Sequence, residues 1–101
     1  MIKKKYARDP GSCTVTFIIN LDQAAGHDSY HLVGDFNNWS KTETPLKKKK
    51  DGTFETSITL GSGREYQFRY LVDGSSWEND WNADKYVLNP YGNEENSVIL
   101  I

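Results

Sequence analysis

At 101 residues the chain has room for one domain with a single core, and it is too short for a barrel enzyme of roughly 250 residues. Its net charge of -2 excludes the broad basic footprint that duplex nucleic acid demands and leaves neutral ligands as the natural class. The 13% aromatic content leans on Tyr and Trp, whose apolar bodies and polar tips suit a wet surface as well as a core.

The opening MIKKKYARDP carries charge with no apolar stretch behind it, so neither a signal peptide nor a membrane span is expected. Ile2 to Tyr6 reads as an edge strand blunted by lysines, and Asp9-Pro10-Gly11 breaks the chain after it. Ser12 to Asn20 alternates Cys13, Val15, Phe17 and Ile19 with polar residues, a strand by period and by propensity. Cys13, the lone cysteine, is a core residue in that pattern; it excludes an internal disulfide and fits a reducing, cytoplasmic setting. A polar connection, Asp22 to Asp28, leads into a second strand, Ser29 to Gly34, with Tyr30 and Leu32 facing inward.

Asp35 to Lys50 shows no sustained period and is expected to be a long loop carrying Phe36 and Trp39. Asn38-Trp39-Ser40 matches a glycosylation sequon, which means little without a secretion signal. The run Lys47 to Lys50 invites a nucleic-acid or anionic-lipid reading, but four lysines in an acidic protein fit a solvated loop or strand edge better. Thr53 to Leu60 alternates again, and Gly61-Ser62-Gly63 predicts a hairpin into Glu65 to Val72. That strand sets Tyr66, Phe68, Tyr70 and Val72 against Gln67, Arg69 and Leu71, and the turn Asp73-Gly74 should bring Trp77 back near Arg69. After Trp81 the chain turns at Asn89-Pro90 and ends in a short apolar strand, Ser97 to Ile101. No helical period of useful length is present. Six to eight short strands at turn spacings of about 8 to 12 residues predict an all-β, immunoglobulin-like antiparallel sandwich.

Chemistry has few candidates. Glu78, Asp80 and Asp84 cluster near the tryptophans, but paired carboxylates need an enclosing cleft that raises one pKa, which a small sandwich rarely builds, so no catalytic residue is expected. His27 and His31 are too few for a zinc site. Asp80-Trp81-Asn82-Ala83-Asp84 echoes a calcium loop, yet Lys85 and Tyr91 occupy positions that need Gly and Glu. Neither metal nor cofactor is expected. Trp39, Trp77 and Trp81 remain, all among Asn, Ser, Asp and Glu. One such residue is as often a loop anchor as a ligand platform, but three together with Arg69 suit a pyranose, whose axial C–H face stacks on a ring while its hydroxyls bond at the rim.

These residues also carry a resemblance. Val33-Gly34-Asp35-Phe36-Asn37-Asn38-Trp39, Pro45-Leu46, Tyr66 to Gly74, Trp77 and Asn96-Ser97-Val98 resemble the family 48 carbohydrate-binding modules, or isoamylase-type early-set domains, which include the glycogen-binding domain of the AMP-activated protein kinase β subunit. The resemblance covers nearly everything from Thr14 on, and implies a recognition domain at residues 12–101 behind an N-terminal edge segment at 1–11. It implies non-catalytic binding of α-1,4-linked glucans such as glycogen, starch or maltodextrins, with Trp39, Arg69 and Trp77 as the contact residues, Asn38 within the first motif, and a sugar-contacting Asn aligned with Glu95, one place before Asn96. Glu95, the extra serine before Trp77 and the additional Trp81 depart from the pattern. In larger proteins such modules precede a glycoside hydrolase family 13 barrel, so a glycogen-metabolising enzyme is an expected companion or parent. A protein-docking module without sugar binding is the alternative, because an exposed aromatic patch serves either use.

Overall fold

The computed structural model describes every residue of the chain except Asp9, Pro10, Tyr91 and Asn93. The chain break expected at Asp9-Pro10 and the last position of the calcium comparison, Tyr91, fall outside the described residues. Two antiparallel sheets face each other. The first holds β1 (Ile2–Tyr6), β2 (Ser12–Ile19), β5 (Phe54–Gly61) and β4 (Lys47–Lys48), in that order across the sheet. The second runs β3 (Tyr30–Gly34), β6 (Glu65–Val72), β9 (Glu95–Leu100), β8 (Lys85–Leu88), and β7 (Ser76–Glu78) pairs with the far end of β6. No helix among the described residues is long and apolar enough to cross a membrane.

Strand alternation builds the core. Cys13, Val15, Phe17 and Ile19 of β2 face Tyr66, Phe68, Tyr70 and Val72 of β6 across the layer, all buried. Their rings interlock: Phe17 meets Phe68 edge-on with centroids 5.2 Å apart, and Tyr30 packs on Phe54 at 4.8 Å. Burying each such side chain stabilises the fold by about 1.5 to 3 kcal/mol. The expected core faces of β2, β3 and β6 are the observed ones, and β1 is an edge strand.

Three sequence expectations need correction. β5 and β6 do not form a hairpin: β5 pairs with β2 and β4, β6 with β3, β7 and β9, and residues 62–64 step from one sheet to the other. Placed in opposite sheets, the two strands turn their apolar faces toward the shared core. The described residues hold nine strands, because β4 and β7 have only two and three residues, too few to show a period. The connection after β2 contains one helical turn, α1 (Leu21–Ala24), started by Asn20, whose side chain accepts from Gln23 N at 2.9 Å.

Candidate functional site

The outer face of the second sheet carries the candidate site. On β6, Gln67, Arg69 and Leu71 point away from the core; Val33 of β3 lies opposite Arg69, and Leu71 has His31 on one side and Trp77 of β7 on the other. Asp73 and Gly74 adopt φ of 52° and 75°, as a tight reversal with positive φ at both central positions requires, and Ser75 N closes it on Val72 O at 3.1 Å. Ser75 is accommodated as a third turn residue, because Ser76 is the one that pairs with Val72. The turn is anchored from outside: Asp73 accepts from the amides of Asp28 and Ser29 at 2.7 and 3.0 Å and holds His27 Nδ1 at 2.8 Å.

Trp39 arrives from the loop after β3. Gly34 is required there by proximity, since a Cβ at that position would lie 2.5 Å from Gln67 O and 2.7 Å from Phe68 Cβ. Asn37 is buried and ties the loop down, accepting from Gly34 N and donating to Leu32 O and Thr44 Oγ1. Asn38 and Trp39 then both take left-handed backbone at φ 57°, an arrangement uncommon outside glycine that tightly bonded surroundings can hold at functional loops. The indole Nε1 donates to Asp35 Oδ1 at 3.0 Å, while Asp35 Oδ2 accepts from Gln67 N at 2.8 Å, which fastens the ring to β6.

Two adjoining clefts share Trp39 and Asn89. One, of about 300 Å³, is lined by Trp39, Arg69, Trp77, Asn89 and Glu94; the other, of about 430 Å³, by Asp35, Trp39, Gln67, Asn89, Pro90 and Asn96. In the first, the Arg69 guanidinium carbon sits 5.8 Å from the Trp77 ring centre, Lys41 Nζ lies 6.0 Å from the same centre, and Arg69 Nη1 donates to Glu94 Oε2 at 2.7 Å. In the second, Asn96 Nδ2 donates to Gln67 Oε1 at 3.1 Å. Among the described residues, the buried Arg69 Nε and Asn96 Oδ1 lack hydrogen-bond partners, a cost that structural cores usually avoid.

The structure thus brings Trp39, Arg69, Trp77 and Asn96 to one surface. Asn38 is exposed and shapes the turn without lining either cleft. Glu95 alternates to the other side of β9 from Asn96, and Trp81 lines neither cleft. Sequence reasoning missed Asp35, Gln67, Asn89 and Glu94. Gln67 was readable, because it shares the outer face with Arg69; Glu94 and Asn89 lie in a loop where no period signals direction.

The acidic residues near Trp81 have structural partners. Asp80 is buried and accepts from the Tyr70 hydroxyl at 2.6 Å and from Asn82 N at 2.7 Å. Asp84 binds Lys4 Nζ at 2.6 Å and Leu100 N at 2.7 Å, and these partners hold its carboxyl below the usual range against the opposing effect of desolvation, the largest single influence on it. Glu78 lies 3.7 Å from His27 Nε2. The lysine run lines a recess of about 640 Å³, but that groove has only Lys, Asp, Thr and Glu walls, on exposed and half-buried residues at the edge of the first sheet.

Comparison with known proteins fits this geometry. A family model described as the glycogen recognition site of AMP-activated protein kinase matches residues 15–100. The chain belongs to this family. The match runs from within β2 to the end of β9 and so takes in both clefts of this glycogen-recognition domain. The 1,4-alpha-glucan branching enzyme GlgB of Aquifex aeolicus is 34% identical over 58 residues, which is 55% of this chain and 9% of the enzyme. The match therefore covers less than a tenth of that relative's length.

Proposed function

We propose that the domain binds α-1,4-linked glucans without chemically altering them, by stacking glucosyl rings on Trp39 and Trp77 while Arg69, Glu94 and Asn96 bond their hydroxyls. The observation that carries this reading is one cleft lined by two tryptophans from distant segments and a buried, ion-paired arginine, in a member of a glycogen-recognition family. The Asp35 bond and the Asp73 anchor hold both rings in place before a ligand arrives, which lowers the ordering cost of binding.

Magnitudes suit a polymer ligand. If one stacked ring buries roughly 100 Å² of apolar surface, at about 25 cal/mol/Å² it contributes on the order of 2.5 kcal/mol. Two such contacts, less ordering costs, correspond to dissociation constants of roughly micromolar to millimolar, which repeated sites on one polysaccharide amplify. The likeness to a branching enzyme supports a role beside or within a glycogen-metabolising enzyme, with residues 12–101 as the recognition domain.

Titration with maltoheptaose, followed by tryptophan fluorescence, tests the reading. A saturable change is the expected result, with its amplitude reduced and its affinity lowered in Trp39→Ala and in Trp77→Ala. No response up to tens of millimolar sugar would overturn it in favour of a protein-docking role.

A further inference from the structure

We propose that Trp81, with Tyr86, Leu88 and Glu95, forms a second glucan-contact platform on the opposite side of the second sheet, so that one domain holds two segments of the same polysaccharide. The inference rests on the glucan-binding reading and extends it to residues that the first site leaves out.

Trp81 is the more exposed of the two protruding tryptophans, at 56% against 36% for Trp77. Its loop is nonetheless held firmly. Asp80 N donates to Ser97 Oγ at 3.0 Å, the Asp80 carboxylate accepts from Tyr70 and from Asn82 N, and the Asp80 carbonyl, joined directly to the Trp81 amide, accepts from the Tyr86 hydroxyl. Beyond the tryptophan, Asp84 N bonds Val98 O at 3.0 Å. An exposed indole on a fixed backbone is a surface prepared for contact, since only side-chain freedom remains to be lost.

Sheet alternation sets the side. Tyr70 and Ser97, which hold Asp80, project toward the core face, while their chain neighbours Arg69 and Asn96 project to the outer face that carries the first site. On β8, Tyr86 lies opposite Ser97 and Leu88 opposite Glu95, so both share the side of Ser97; Val87, opposite Asn96, has the other orientation. Tyr86 and Leu88 are 39% and 71% exposed although they point this way, because they sit on the edge strand. Asn79 Nδ2 donates to Glu95 O at 2.9 Å, binding the start of the Trp81 loop to the same strand. Trp81 and Glu95, the two sequence candidates other than Asn38 that line neither cleft, therefore attach to one edge of the molecule.

The size and chemistry of the patch select the occupant. Three such side chains, only 56%, 39% and 71% exposed, fall well short of the ~800 Å² per partner of a stable protein interface. So small a patch suits one or two sugar rings. An indole face with a carboxylate, Glu95, and an amide, Asn82, on exposed neighbouring positions has the amphipathic character a pyranose requires. A ligand made of identical repeats supplies the second segment without a second kind of partner.

The experiment reads the three indole N–H signals by ¹H–¹⁵N NMR during titration with maltoheptaose, in the native protein and in the Trp39→Ala, Trp77→Ala double variant. The Trp81 signal is expected to shift saturably in both, with its own millimolar-range constant, and Trp81→Ala is expected to weaken retention on glycogen roughly tenfold through lost avidity while the Trp39 and Trp77 signals still respond to maltoheptaose. The proposal is overturned if Trp81 stays unmoved while Trp39 and Trp77 shift, a result that leaves the first site standing. It is also overturned if the Trp81 response vanishes in the double variant, which would make it an extension of the first cleft, or if its signal moves with protein concentration in the absence of sugar, which would mark a self-association surface. If no indole responds, the glucan reading fails as a whole.

Discussion

The guanidinium of Arg69 lies 5.8 Å from the centre of the Trp77 ring, and the same group is ion-paired to Glu94 at 2.7 Å. Arg69 thus both lies against the Trp77 ring and positions the Glu94 carboxylate. Trp77→Ala should weaken maltoheptaose binding by on the order of 2.5 kcal/mol, roughly seventyfold, if its ring buries the area estimated above. Arg69→Lys should also weaken binding, because an ammonium cannot stack on the ring and bond Glu94 with the same fixed fork. Isothermal titration of both variants checks this, and an Arg69→Lys affinity equal to the native value would remove the arginine from the site.

Gly34→Ala should destabilise the protein by about 1 to 3 kcal/mol, since the added methyl would press on Gln67 O and Phe68 Cβ, neither of which can swing aside. Urea denaturation measures the loss. Because the Trp39 loop begins at this residue, binding should weaken even in the fraction that remains folded.

The buried Tyr70 hydroxyl donates to the buried Asp80 carboxylate, and desolvation first, then the carboxylate, raises the tyrosine pKa well above its ordinary value. Tyr70→Phe leaves a buried oxygen with one partner fewer and should cost about 1 to 3 kcal/mol. A change below 0.5 kcal/mol in urea denaturation would mean that water replaces the hydroxyl.

His27 and Asp73 link stability to pH. The hydrogen bond to Asp73 raises the His27 pKa above 6.5, and the bond from His27, followed by the Asp28 and Ser29 amides, lowers that of Asp73 below 3.8. The histidine contribution is complete below 6.5 and fades as pH rises through the raised folded value; the Asp73 contribution is complete above 3.8 and fades as pH falls through the lowered one. Both are present between those limits. The thermal midpoint should therefore decline between pH 6 and pH 8, by less in His27→Gln, and the difference should shrink in high salt because the pair is partly exposed. Thermal scans at several pH values check it.

Much of the scaffold was legible in the residues. The alternation in β2, β3, β5 and β6 marks which side of each strand is buried, and the Asp73-Gly74 turn foretold that Trp77 would return toward Arg69. The short elements were not legible, since Lys47–Lys48 and Ser76–Glu78 are strands only because β5 and β6 offer them open edges. Glu94 escaped for a related reason: its direction is fixed by Arg69, twenty-five positions away, and by nothing in its own loop.

The division follows from the range of the forces. Local sterics and the period-two pattern act over a few residues, so the sequence alone determined the strands, their buried faces and a set of aromatic and polar candidates. Sheet pairing and burial act between distant segments. They alone decided that β5 and β6 belong to different sheets, that Asn96 turns toward Trp39 while Glu95 turns away, and that Asp80, the residue before Trp81, is tied to Tyr70 and Ser97.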